Sequence, residues 1–306
     1  MLLSPELLNR LTPMDLKARQ IVEGFISGLH KSPYYGFSVE FAEHRPYNPG
    51  DELKHLDWKV YGKTERFFVK QYEEETNLRC YMMLDVSSSM QFRHFAEWSK
   101  LRYAVHLAAA LAYMLHRQRD GFGLVPFDDT IKDMVTPKSS YAHLIHFFKT
   151  LEGILEVYDK DETDRRKTAS ADAIHRLAEQ VHRRSLVIVF TDLFENTDRQ
   201  EHLISALKHL RHNKHEVILF HLLERKSERA LDFAGNRMVF RDLETGAEMD
   251  VIPAQVREDY QKRMREYGHQ IRMACSEANI MYEEIDTQEA FDYALLAFLN
   301  KRRKMM

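Results

Sequence analysis

The stretch YMMLDVSSSMQF, residues 81–92, ends an apolar run on Asp85 and follows it at once with serines. In an extended segment, positions i, i+2 and i+4 project to one side, so Asp85, Ser87 and Ser89 can face one object. Two other polar segments have the same flavour. SLVIVFTDLFEN delivers Thr191 and Asp192 after an apolar run, and RRKTASADAI delivers Thr168 and Ser170 just before a helical pattern. Two carboxylates with several neutral hydroxyls, and no His or Cys, make an all-oxygen donor set. That chemistry suits a hard cation such as Mg²⁺, with Mn²⁺ or Ca²⁺ as alternatives, and suits zinc poorly.

Competing readings of the same residues are a plain strand-to-helix turn with a capping serine, a nucleophile, or a phosphate site. A haloacid-dehalogenase-type phosphatase needs a second aspartate two residues after the first, as general acid. Ser87 stands there and cannot transfer that proton near neutral pH. No G-x-S-x-G elbow surrounds the serines. Gly62-Lys63-Thr64 resembles the end of a phosphate loop, but Asp57 stands where its first glycine belongs. His209, His212 and His215 lack a carboxylate or cysteine partner pattern and read as solvated residues near a helix end. The basic tail KRRKMM complements the dipole of a closing helix.

The elements that position these residues alternate. Residues 5–30 carry a helical apolar face, and residues 36–72 read as a small β element broken by turn residues. From residue 79, short apolar runs (RCYMMLD, RDGFGLVPFDD, SLVIVFTD, EVILFHLLE, IMYEEID) alternate with amphipathic helices, beginning with a long one over residues 96–118. MVFRDLETGAEMDVI reads as a hairpin inserted near 237–252. This alternation predicts an α/β fold: a doubly wound, mostly parallel sheet covered on both faces, preceded by an N-terminal helix and small β segment. The expected division is 1–77 and 78–306. In such sheets ligands gather beyond the carboxyl ends of the strands, where the three polar segments fall.

Composition narrows the function classes. The chain has 306 residues, 47 acidic against 44 basic, a balance unlike that of a dedicated nucleic-acid binder. Two cysteines, Cys80 and Cys275, without a C-x-x-C pair, support neither a zinc ribbon nor a disulfide framework and fit a reducing compartment. The N-terminus lacks signal-peptide character, and no window approaches the roughly 18 apolar residues of a spanning helix. A cytoplasmic protein without direct membrane insertion is expected.

DVSSSM fits the D-x-S-x-S motif of von Willebrand factor A domains, TASADAI fits their threonine loop, and FTD fits their second aspartate loop. Together they resemble a metal-ion-dependent adhesion site. The resemblance implies a von Willebrand factor A-like, Rossmann-like domain. It also implies Ser87, Ser89 and Thr168 as hydroxyl ligands, with Asp85 and Asp192 acting largely through water. Where that family often has glycines, this chain has Arg166, Lys167 and Leu193. Upstream, Arg45, Tyr47, Gly50, Asp51, Asp57, Trp58, Val69, Lys70, Tyr72 and Glu75 resemble the signature of the bacterial family catalogued as domain of unknown function fifty-eight. Such proteins are similar to partners of MoxR-type AAA+ ATPases with chaperone-like roles in assembly or maturation. The expectation is a non-enzymatic, divalent-cation-dependent module that binds an acidic side chain of a protein partner. The alternatives are a metal-dependent phosphohydrolase and a scaffold with a vestigial metal site.

Overall fold

The computed structural model describes residues 14–29, 44–46, 61–62, 67–70, 78–159, 170–181, 184–193, 200–235 and 237–303. The elements in chain order are α1 (Met14–Leu29), β1 (His44–Pro46), β2 (Phe68–Lys70), β3 (Arg79–Asp85), α2 (Lys100–Arg117), β4 (Gly121–Phe127) and β5 (Val135–Lys138). There follow α3 (Tyr141–Tyr158), α4 (Ser170–Gln180), β6 (Leu186–Thr191), α5 (Gln200–His212) and β7 (Glu216–Leu223). The hairpin strands β8 (Met238–Arg241) and β9 (Glu248–Val251), then α6 (Pro253–Glu277), β10 (Met281–Asp286) and α7 (Asp292–Arg303), complete the described chain.

Six strands form one sheet in the order β10–β7–β6–β3–β4–β5, parallel throughout except for β5. The predicted mostly parallel α/β sheet with flanking helices is therefore present. The chain winds outward from β3 to one edge, then returns to start β6 on the other side of β3. The strand order thus reverses between β3 and β6, and a crevice opens beyond their carboxyl ends. All six residues of β6 are buried, because a central parallel strand is covered on both faces. Alternation sends Tyr81, Met83, Val187 and Val189 to the face packed by α4, α5 and α6. On the other side, α2 packs on β3, β4 and β7.

The chain divides into two compact units, 1–28 with 78–306, and 29–77. The N-terminal helix thus belongs with the large unit, whereas the sequence grouped it with the β segment. Its apolar stripe explains this: Ala18, Ile21 and Val22 are buried, and the Met14 backbone N–H donates to Glu152 Oε1 on α3 at 3.2 Å. In the smaller unit, β1 and β2 pair antiparallel and the rings of Tyr61 and Phe67 stack at 4.5 Å. The strand expected over 36–43 lies outside the described residues.

The first long helix starts later than its pattern indicates. Residues 96–99 precede α2, because Ser99 caps it by accepting the Arg102 backbone N–H at 3.0 Å. Asp159, which follows α3, accepts from the Ser99 hydroxyl and from Arg102, and so ties the start of α2 to the end of α3. Trp98 still packs inside, 4.2 Å from the His106 ring. The edge strand β5 was not anticipated, being four residues long and containing Pro137.

β5 crosses β4 very closely at Gly123. A Cβ there would lie 2.4 Å from the Val135 carbonyl oxygen and 2.9 Å from the Pro137 nitrogen. Both obstacles are backbone, so Gly123→Ala must push the strands apart. It should cost about 1–3 kcal/mol in urea unfolding, a typical overpacking penalty; an unchanged midpoint would show that the strands separate freely.

His106 creates an acid sensitivity. It is 2% exposed, its Nδ1 lies 2.7 Å from the Arg102 carbonyl oxygen, and burial holds it down at about 3. The unfolded chain therefore binds a proton near pH 6.5 that the folded chain refuses. Stability from this group is full above pH 6.5 and declines as pH falls toward the folded value, by about 1.4 kcal/mol per unit. Urea unfolding at pH 7.5, 6 and 5 should show this slope, and His106→Leu should flatten it.

Candidate functional site

Asp85 is the last residue of β3, and it is fully buried. Its register partner on β4 is Phe127, while the β3–β6 ladder ends at Leu84 and Phe190, which brings Thr191 alongside. The Thr191 hydroxyl donates to Asp85 Oδ2 at 2.7 Å. The Ser87 backbone N–H donates to Asp85 Oδ1 at 3.0 Å, and a 3₁₀ turn follows over Ser88–Gln91. This turn brings the Ser87 and Ser89 hydroxyl oxygens to 3.0 Å. The predicted convergence of Asp85, Ser87 and Ser89 is thus local: a strand end closed by a turn that the aspartate itself caps.

Burial, reinforced by the charge of Asp192, pushes the Asp85 carboxyl up to about 7. The hydrogen bonds from Ser87 and Thr191 offset only part of this rise. A group in that position is short of positive charge.

Asp192 follows β6 and is also buried, but its carboxylate is engaged elsewhere. Lys100 Nζ donates to Asp192 Oδ2 and to Glu228 Oε1, each at 2.6 Å. Lys100 is the first residue of α2 and is 1% exposed. Burial alone pulls its ammonium down, but Asp192 and Glu228 outweigh that and hold it above its ordinary value. Glu228 lies in a π-helical turn over Arg225–Arg229, and burial holds its carboxyl up.

The network continues outward. Glu228 Oε2 accepts the Glu224 backbone N–H at 2.6 Å. Glu224 follows β7, and its Oε1 accepts the backbone N–H groups of His94, Phe95 and Ala96 at 2.9, 2.7 and 2.5 Å. The Ser227 hydroxyl donates to the other carboxylate oxygen. Asp85, Asp192, Glu224 and Glu228 are all buried, and Lys100 is the buried ammonium among them. The formal balance of these five groups is strongly negative.

Of the five expected metal-site residues, Asp85, Ser87 and Ser89 come together, and Asp192 acts on Asp85 electrostatically while paired to Lys100. Thr168 lies outside the described residues, as do Arg166 and Lys167. Among the described residues, no group of three or more His, Cys, Asp or Glu side chains is placed to hold a metal ion. A cation at Asp85 therefore depends on hydroxyl and water oxygens. Leu193 has φ 56°, the left-handed region that favours glycine. Its N–H donates to Thr191 Oγ1 at 3.2 Å and its carbonyl accepts from Tyr267 at 2.7 Å, which hold the turn.

Lys100, Glu224 and Glu228 were missed in the sequence. A lysine opening a helix opposes the helix dipole and asks for a carboxylate facing it, but a helix read from residue 96 hides that Lys100 opens it. The histidine run also needs correcting. His215 is fully buried and accepts the Ser185 N–H at 3.3 Å, and His209 pairs with His175 at 3.0 Å. Neither is a freely solvated residue, because α4 and the start of β6 pack against them.

Glu224 anchors the 94–96 segment through three backbone donors. Glu224→Gln should weaken charge-assisted bonds, lower stability by about 1–3 kcal/mol, and speed amide hydrogen exchange at His94, Phe95 and Ala96. Unchanged exchange there would show that the anchor lies elsewhere.

Comparison with known proteins adds the following. The family description "Protein of unknown function DUF58" matches residues 43–270. Uncharacterized proteins of Mycobacterium bovis and Mycobacterium tuberculosis are 25% identical over 260 residues, covering 84% of this chain and 77% of theirs. Among solved structures, an aerotolerance-related membrane protein from Bacteroides fragilis aligns with TM-score 0.48 at 18% identity, covering 74% of this chain and 99% of that one. A conserved hypothetical protein BatB from Bacteroides thetaiotaomicron aligns with TM-score 0.47 at 15% identity, with the same coverage.

Proposed function

The chain belongs to the DUF58 family, and we propose that it is a non-enzymatic protein-binding module that works through a divalent cation at Asp85. The observation that supports this most is the buried Asp85 carboxylate, held by the Ser87 N–H, next to the paired Ser87 and Ser89 hydroxyls at the point where strand order reverses. Four buried carboxylates, two of which meet the same ammonium among the described residues, favour further positive charge. Mg²⁺ takes about six oxygen ligands and retains waters, so a hydroxyl-rich site suits it, with Mn²⁺ and Ca²⁺ as alternatives.

In this reading Ser87, Ser89 and Thr168 are the hydroxyl ligands of a von Willebrand factor A-like adhesion site. Asp85 and Asp192 hold bound water. An acidic side chain of a partner completes the coordination. Ser87, standing where phosphatase chemistry wants a carboxylic acid, favours binding over turnover. The partner is a MoxR-type AAA+ ATPase, with assembly or maturation of client proteins as the outcome. That places the work in the cytoplasm, in keeping with two buried free cysteines, Cys80 and Cys275. None of the described helices is long and apolar enough to cross a membrane.

The Lys100–Asp192 pair favours a second reading, a scaffold whose metal site is vestigial, because an internal cation already meets one of the two aspartates. One experiment separates them. Capture of a purified MoxR-type ATPase by the immobilised chain should require Mg²⁺, be lost in EDTA, and fall at least tenfold in Ser87→Ala and Asp85→Asn. Capture that is equal in EDTA and in both variants would leave the scaffold. Phosphate-ester turnover that disappears in Asp85→Asn would replace binding with catalysis.

A further inference from the structure

We infer that Lys100 is an internal competitor of the divalent cation, holding Asp192 until the cation arrives and then shifting toward Glu228. This rests on the metal reading of Asp85 and extends it to how the site is regulated. Three observations carry it. The Lys100 ammonium is buried, and it meets Asp192 and Glu228 at the same 2.6 Å. It is therefore shared between a carboxylate that belongs to the proposed site and one that does not.

Glu228 is also a fixed acceptor. Its other carboxylate oxygen takes the Glu224 N–H, and its backbone carbonyl takes the Tyr260 hydroxyl. It stays in place when the ammonium leaves Asp192. Finally, Asp192 directly follows Thr191, whose hydroxyl donates to Asp85 Oδ2 at 2.7 Å, so the two strand ends form one unit. A divalent ion brought to that unit is repelled by the ammonium in a region where little water screens them. With Lys100 on Asp192, the water-holding oxygens of that carboxylate are partly spent. With Lys100 on Glu228, that ion pair no longer occupies them. Lys100 is a positioning residue here, since it acts on the cation through Asp192 and does not touch it.

The two sides of the lysine predict opposite effects, which a merely structural role does not. Removing the competitor should strengthen binding. Removing its alternative acceptor should tie the ammonium to Asp192 and weaken binding. Titration calorimetry of the full chain with MgCl₂ and with MnCl₂ reads both, with urea unfolding in EDTA to follow stability. Lys100→Met should tighten binding at least tenfold even though it lowers stability in EDTA. Glu228→Gln should weaken binding at least threefold.

If the unaltered chain binds the ions and Lys100→Met binds equally or more weakly, the competition is wrong while the metal reading stands. If neither the unaltered chain nor Lys100→Met binds either ion, both fall together. Binding that appears only in Lys100→Met supports competition in its strongest form. Should Lys100→Met not fold, Glu228→Gln decides: weaker binding supports the competition, and unchanged or tighter binding overturns it.

Discussion

A buried ammonium between two carboxylates is the constraint around which the carboxyl end of this sheet is built. Lys100 joins the first turn of α2 to the end of β6 through Asp192, and to the turn after β7 through Glu228. Removing the ammonium leaves two buried carboxylates without it, and such losses are severe even where the intact pair adds little net stability. The pair therefore acts as a specification. It fixes how α2 docks at its N-terminus, against the preference of the helix dipole. It also brings Glu228 to where it can orient Glu224. Glu224 in turn takes three successive backbone N–H groups that no regular element could satisfy.

The sheet underneath supplies the rigidity that such a cluster needs. Parallel strands buried on both faces deliver their last residues into one crevice, and the order reversal between β3 and β6 leaves that crevice uncovered by a crossover. Asp85 and Thr191 meet there directly because they end neighbouring strands. Asp192, one residue further on, turns to the α2 side. A single step along the chain thus separates a carboxylate bonded within the sheet from one bonded to a helix. The turn that allows it has Leu193 in a left-handed conformation, stabilised by hydrogen bonds from both ends.

Much of this was legible in the chain itself. Runs such as SLVIVF and EVILFHLL, short, mostly apolar and rich in β-branched residues, read as buried strands of a parallel sheet. The i, i+2, i+4 spacing of Asp85, Ser87 and Ser89 pointed to one side on the premise of an extended backbone, whereas the strand ends at Asp85 and a 3₁₀ turn over Ser88–Gln91 brings the two hydroxyls together. The helix boundary at Ser99 and the short strand β5 were not legible. A capping choice between Ser99 and earlier residues depends on Asp159, 60 positions away, and β5 depends on a close approach at Gly123 that no pattern encodes.

What the sequence by itself determined is therefore what lies within a few residues: the periodicities, the turn closed by Asp85 and Ser87, and the all-oxygen chemistry of the strand ends. What only the tertiary structure decided is which charges share one dry space. Lys100 and Glu228 stand 128 positions apart, and nothing in either neighbourhood names the other. In the run from His209 to His215, His212 is exposed as it looks, but His209 is paired and His215 buried by elements packed from elsewhere. Burial sets the energy of a charge, and burial belongs to the fold as a whole, so the electrostatic character of the site could not be read from spacing alone.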